Sequence, residues 1–267
     1  MKVDLHSHSV YSDGKKTIEE LVNFAKERNV DIFALTDHDT VLGDLEVDEY
    51  NKDKLTIIKG VELSCEYKGE IVHIVGLFKN NIVPEYMKEL SIKLEDQRRD
   101  RAIKMLNGIK EKYNAKIDID SFIRENRIVT RKNIFDHIEK NNKNFTHDEI
   151  KIMAGRKSLA YIPSFKFDVM EAINLLHNNN AISIFAHPCL IENKDVLAEL
   201  LTFPFDGIEA KYANPANDYE YFKKVAEERG LLISAGSDYH GDKTHGKIGD
   251  VYLDGKEFEP IKRLLGL

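Results

Sequence analysis

His6 and His8 stand two residues apart at the end of a short apolar run, Val3 to Leu5. A strand turns successive side chains to opposite faces, so this spacing sends both imidazoles to one side, where they can chelate a cation. Ser12-Asp13-Gly14 follows and puts a carboxylate on a turn. The arrangement recurs along the chain. Ile32 to Leu35 ends in Thr36-Asp37-His38-Asp39, three ionisable groups in succession that would be costly to bury without a cation or partner. Thr56 to Ile58 leads into Gly60-Val61-Glu62, and Ala181 to Phe185 into Ala186-His187-Pro188. Leu231 to Ser234 runs into Gly236-Ser237-Asp238-Tyr239-His240, with carboxylate and imidazole again two apart. His73 lies within Ile71-Val72-His73-Ile74-Val75, where an imidazole is as readily a hydrogen-bonded core residue as a ligand.

Imidazoles and carboxylates together suit Mn, Zn or Fe, and the set is neither sulfur-rich nor all-oxygen. It also exceeds the three or four ligands that one zinc needs, so two or three divalent metals are expected.

The apolar runs that carry these residues, with a further one at Gly207 to Ala210, alternate with amphipathic stretches. Thr17 to Arg28 opens on Thr-x-x-Glu, a capping box formed by Thr17 and Glu20. Asp168 to Asn178 opens on Asp-x-x-Glu and lines Val169, Ile173 and Leu176 on one face. Ala216 to Arg229 stops at Gly230. Strands alternating with helices predict a mostly parallel α/β sheet or barrel with catalytic groups at the strand C-terminal ends.

The segment 84–166 reads differently: it is helical and polar, with no convincing strand. It holds 19 Lys/Arg and 13 Asp/Glu, a net of +6, while the remainder has 39−19 = 20 basic and 46−13 = 33 acidic residues, a net of −13. Two parts are therefore expected, a barrel of residues 1–83 and 167–267 bearing the metal site and an inserted helical subdomain, 84–166, covering it. A solvated charged face accounts equally for the helix around Glu95 to Lys104.

The 267 residues are 42% hydrophobic, enough for a substantial core, and the net charge of −7 gives no general case for nucleic-acid binding. Cys65 and Cys189 have no CxxC spacing, which favours a reducing compartment. No apolar run approaches the roughly 20 residues that span a bilayer. MKVDLHSHS reaches the first candidate ligands without an apolar leader, so a cytoplasmic location is expected, with no membrane and no obligatory protein partner.

As a set, His6-Ser-His8 with Ser12-Asp13-Gly14, Thr36-Asp37-His38-Asp39, Gly60-Val61-Glu62, Ala186-His187-Pro188 and Gly236-Ser237-Asp238-Tyr239-His240 resemble the PHP (polymerase and histidinol phosphatase) family of metal-dependent phosphoesterases. The resemblance implies a distorted seven-stranded (β/α) barrel with a trinuclear site. His6, His8, Glu62 and Asp238 would hold one metal, Glu62, His73 and His187 a second, and Asp13, His38 and His240 a third, with Glu62 bridging. The helical insert, Val129-Thr130-Arg131 and Ala160-Tyr161-Ile162-Pro163 are similar to the nucleoside 3′,5′-bisphosphate phosphatase and 5′-3′ exoribonuclease subgroup. Histidinol phosphatases of the family tend to carry His where Asp13 stands. After Gly207-Ile208-Glu209 the chain reads Ala210-Lys211-Tyr212-Ala213-Asn214-Pro215, where the resemblance leads one to expect histidine.

A water shared by two such cations loses enough proton affinity to serve as nucleophile near neutral pH. Asp37, Arg131 and His240 are the side chains expected to act in catalysis. Arg131, Arg156, Lys157 and Lys211 are the candidates for binding substrate, Arg131 first because a guanidinium offers phosphate a planar fork. A surface arginine at a helix start is the alternative for Arg131. Asp37 and Asp39 are expected to orient imidazoles, and Asp37, Lys211 and His245 are open as general acid. The expected activity is hydrolysis of a phosphate monoester, a nucleotide such as a nucleoside 3′,5′-bisphosphate. The alternatives are a nuclease on short RNA or DNA and a non-enzymatic metal-binding module; filling of all nine ligand positions weighs against the last. A C–N-cleaving amidohydrolase would share the metals but lacks here the expected bridging lysine.

Overall fold

The computed structural model describes residues 1–51, 55–126 and 128–267, with the backbone but not the side chain of Arg131. In chain order the elements are β1 (Val3–Asp4), α1 (Ile18–Glu27), β2 (Ile32–Leu35), β3 (Thr56–Tyr67), β4 (Glu70–Phe78), α2 (Glu85–Tyr113), α3 (Ile119–Glu125), α4 (Arg131–Asn141) and α5 (His147–Ala154). There follow β5 (Phe167–Asp168), α6 (Val169–Asn178), β6 (Ala181–Phe185), α7 (Lys194–Leu200), β7 (Gly207–Tyr212), α8 (Tyr219–Arg229), β8 (Leu232–Gly236) and α9 (Gly255–Leu265). They fall into two compact units, Met1–Ser91 with Lys166–Leu267, and Ile92–Phe165.

In the first unit the strands hydrogen-bond in the order β1-β2-β3-β4-β6-β7-β8, with β5 paired to β3 off this path. The path closes on itself: the Leu5 N–H donates to the Ala235 carbonyl (2.8 Å), Asp238 to His6 (3.0 Å) and His8 to Tyr239 (2.9 Å). The result is a distorted seven-stranded barrel. The sheet is mostly parallel, as expected, with one strand reversed. β4 runs antiparallel to both β3 and β6, because Lys68 and Gly69, both at positive φ, join β3 to β4 in a two-residue turn. So short a loop reverses the chain and leaves no room for a parallel crossover. β3 is accordingly longer than Thr56 to Ile58, and Glu62 sits mid-strand.

Inward-facing Val3, Leu5, Ala34, Ile58, Val75 and Ile184 form the apolar barrel interior, joined by Phe258, Ile261 and Leu265 of α9. Outside, α1 lays Leu21, Val22 and Ala25 against Phe33 and Ile57. The Thr17–Glu20 capping box starts α1, and the Asp168 side chain caps α6. With the interior apolar, polar groups gather where the strands end.

The second unit is helical, with no strand among its described residues. Met105, Leu106, Phe122, Ile134, Ile138 and Ile150 make its own core. Thr130 caps α4 and leaves Arg131 as its first residue, and Thr146 caps α5. Among the described residues no helix is long and apolar enough to cross a membrane.

Candidate metal centre

At the end of β1 the chain keeps the strand period. Ser7 turns away, its hydroxyl donating to the Ala34 carbonyl (2.6 Å), while His6 and His8 turn inward and bring their Nε2 atoms within 3.2 Å. Two lone pairs so close repel unless a proton or cation lies between them. Asp13, on the following turn, has Oδ1 3.1 Å from His240 Nε2 and Oδ2 3.8 Å from His38 Nε2. His73, on β4, is opposite Ser64 of β3, so it lies diagonally across from Glu62 on the same face.

Glu62 is the hub. Its carboxylate is fully buried, with Oε1 2.9 Å from His187 Nε2, 3.1 Å from His73 Nδ1 and 3.3 Å from His6 Nε2. Oε2 faces His38 Nδ1 (2.9 Å) and His8 Nε2 (3.2 Å). Asp238 Oδ1 lies 3.2 Å from His8 Nε2 and 3.4 Å from His6 Nε2. Yet Glu62 Oε2 and Asp238 Oδ1, both buried, make no hydrogen bond of acceptable geometry with the described residues. Buried anionic oxygens standing beside nitrogens but off the hydrogen-bond direction fit cations placed between them.

All nine residues expected as ligands come together here. Among the described residues eight of them form overlapping groups, including His6-His8-Glu62-Asp238, His8-Asp13-His38-His240 and His38-Glu62-His73, while His187 is in none of these and lies 2.9 Å from Glu62 Oε1 and 3.4 Å from His73 Nδ1. His8 belongs to two groups, with Nε2 3.2 Å from Glu62 Oε2 and Nδ1 3.8 Å from Asp13 Oδ1, and His38 stands between Asp13 and Glu62. Two of the nine, His187 (φ 28°) and Asp238 (φ 52°), occupy the left-handed region, a cost that L-residues bear where surrounding structure fixes them.

The charges are interdependent. Burial pushes the Glu62 carboxyl up, but His38, His73 and His6 outweigh it and hold it well below the usual range. Burial disfavours charge on His6, yet Glu62, Glu209 and Asp238 lift it well above its ordinary value. Against the same burial, Glu62 and Asp13 raise His38 to about 9. His73 falls to about 4: burial prevails there because His38 and His187 oppose a further positive charge beside the shared Glu62. Without cations, protons on imidazole balance the buried carboxylates, so metal uptake must displace them.

The other expected residues have varied positions. Asp37 accepts from the Ser9 N–H (2.8 Å) and hydroxyl (2.6 Å) and from the Ser12 hydroxyl (2.5 Å), so it braces the loop between His8 and Asp13. Asp39 accepts from the Ser64 N–H (2.7 Å). Lys211 pairs with Glu257 (2.6 Å) on α9, not with a member of the cluster. His245 stacks on His240, with its Nδ1 3.0 Å from Asp242 and its Nε2 3.9 Å from Asp238 Oδ2. Arg156 and Lys157 are exposed in the turn after α5. The Arg131 side chain lies outside the described structure.

Two residues of the site escaped sequence reasoning. Glu209, buried on β7, contacts His6 and His187, and the Tyr212 hydroxyl donates to Asp238 Oδ2 (3.0 Å). A carboxylate near the end of an apolar strand was the available signal for Glu209; nothing in the sequence marked Tyr212.

Known proteins resemble the chain in sequence and in fold. The chain is 29% identical over 253 residues to a 5′-3′ exoribonuclease of Haemophilus influenzae, covering 90% of each chain. Over 257 residues it is 26% identical to a 3′,5′-nucleoside bisphosphate phosphatase of Chromobacterium violaceum, covering 92% of this chain and 89% of that one. A solved structure from Bifidobacterium adolescentis, described as a metal-dependent phosphoesterase, shares the fold with a TM-score of 0.80 at 23% identity, over 98% of this chain and 96% of that one. A histidine- and carboxylate-rich cluster on such a barrel, with these relatives, defines a metal-dependent phosphoesterase. The chain belongs to the PHP domain family, whose model matches residues 4–265.

Proposed function

We propose that the protein hydrolyses a phosphate monoester of a nucleotide, of the nucleoside 3′,5′-bisphosphate type, at a centre of two or three divalent metals held by His6, His8, Asp13, His38, Glu62, His73, His187, Asp238 and His240. The observation that carries the reading is the Glu62 carboxylate, fully buried, with its two oxygens turned to different sets of imidazoles. Mn, Zn or Fe bound there would supply an acidified water and offset phosphoryl charge. The accessible members of the cluster are Asp13, His38, His73 and His245, with side-chain exposures of 43%, 17%, 20% and 31%, so the ester approaches from that side. Asp37 keeps Asp13 in place through Ser9 and Ser12, and Tyr212 fixes the second oxygen of Asp238. The phosphate-binding cations are assigned to Arg131, Arg156 and Lys157, on the family resemblance and the positive charge of their segment.

A second reading, stepwise 5′-3′ trimming of short RNA, is favoured by the Haemophilus relative, matched over 90% of both chains. One assay separates the two. The protein is loaded with Mn or Zn, its metal content is measured, and a nucleoside 3′,5′-bisphosphate competes with a short 5′-phosphorylated oligoribonucleotide. Preferential phosphate release from the bisphosphate supports the monoesterase; preferential mononucleotide release from the oligomer replaces it with the exonuclease. Full activity with one metal equivalent or fewer overturns the multinuclear centre.

A further inference from the structure

Glu209 is 1% exposed, sets both carboxylate oxygens against residues of the metal centre and is in none of the candidate cation groups found among the described residues. Oε1 lies 3.0 Å from His6 Nδ1, and Oε2 accepts the His187 backbone N–H at 2.7 Å. A His6 that ligates a cation through Nε2 keeps its one proton on Nδ1, where Glu209 Oε1 is placed to accept it, and its Nε2 faces Glu62, Asp238 and His8. At His187 the bond falls on a residue with φ 28° and ψ 57°, a backbone conformation that needs an external hold. His6 and His187 both reach Glu62 Oε1, at 3.3 and 2.9 Å. The close approach depends on Gly236 at the end of β8: a Cβ there would stand 2.0 Å from Glu209 Oε1 and 2.4 Å from His6 Cβ. The glycine that ends this strand is thus the space in which carboxylate and imidazole meet.

We propose that Glu209 is a positioning residue of the metal centre. One buried carboxylate fixes the His6 tautomer and pins the His187 turn, so that ligands assigned to two different metals converge on Glu62. The proposal rests on the metal reading given above. Partners of this kind, behind a ligating imidazole, typically set metal affinity by about 10- to 100-fold.

Two variants test it. Glu209→Leu is somewhat bulkier and removes both acceptors. Glu209→Gln keeps one acceptor oxygen, while its amide NH2 must face one of the two donors. Mn and Zn affinities of wild type and both variants are measured by competition against a chelating indicator at fixed neutral pH, beside melting temperatures of the metal-free proteins. The expected result is an affinity loss of about 10- to 100-fold in Glu209→Leu and a smaller loss in Glu209→Gln, with both variants folded. If Glu209→Leu fails to fold, the Glu209→Gln affinity decides. Folded variants that bind metal within about twofold of wild type overturn the proposal, including the case in which only the metal-free melting temperature falls, because that marks a purely structural carboxylate. A wild-type chain that takes up no metal overturns the metal reading itself and this proposal with it.

Discussion

Glu62→Gln is the perturbation that most directly interrogates the centre. The wild-type carboxylate offers one oxygen to His6, His73 and His187 and the other to His8 and His38. Glutamine fits the same space but offers a single oxygen, and its NH2 cannot ligate a cation. Whichever way the amide turns, one set of imidazoles loses its shared ligand. A structural four-ligand zinc site is worth about 10–16 kcal/mol, so one ligand carries roughly 2.5–4 kcal/mol. At about 1.4 kcal/mol per tenfold, one metal should bind roughly two to three orders of magnitude more weakly. The fold should survive, because a neutral amide is cheaper to bury than a carboxylate. Equilibrium dialysis at a free metal concentration near the wild-type dissociation constants, followed by elemental analysis, should show the loss of one equivalent. Phosphate release should fall with it. Wild-type stoichiometry and turnover in Glu62→Gln would refute the bridging role and the multinuclear argument built on it.

Other outcomes follow from the same geometry. Asp13→Ala and His38→Ala should abolish phosphate release with only a modest fall in melting temperature, since Asp13 is 43% exposed on a turn; near-wild-type turnover in either would remove the Asp13 group from catalysis. Arg131→Ala should lower the specificity constant by about 10- to 150-fold, the equivalent of about 1.5–3 kcal/mol, and Arg131→Lys should recover only part, with metal content unchanged in both. Unaltered steady-state kinetics would return Arg131 to a surface role. Asp44 is buried, and neither oxygen makes a hydrogen bond of ordinary geometry among the described residues. Burial and the nearby Asp37 raise its carboxyl well above 3.8, with Lys59 and the Gly60 N–H tempering the shift. The native state therefore holds a proton that the unfolded chain releases first, so this residue's contribution to stability is full below about pH 3.8 and declines as pH rises toward the folded-state value. Asp44→Asn should flatten that decline and leave the protein at least as stable near neutrality in denaturant titrations; a large destabilisation there would contradict the assignment.

Much of the centre could be read from the sequence because it is locally encoded. The period of two places His6 with His8 on a common face, and the apolar runs before the ligands mark where strands surface, whereas Asp238 and His240 lie beyond β8 with Asp238 in the left-handed region. Capping signals at Thr17 and Asp168 located α1 and α6 for the same reason: their hydrogen bonds close within three residues. What the tertiary structure decided involves partners far apart in the chain. Lys68-Gly69 reversed β4 and put Glu62 inside a long strand instead of at its end. Which nitrogen of His8 faces which group, and the placing of His38 between Asp13 and Glu62, depend on how the loops approach one another across the barrel mouth. Lys211 went to Glu257 on α9, while Tyr212, its neighbour, reached Asp238. Glu209 meets His6 across 203 positions, in a gap that Gly236 leaves open. Strand periodicity selects the face a side chain occupies; only barrel closure, which sets neighbouring strands side by side, determines what it meets there.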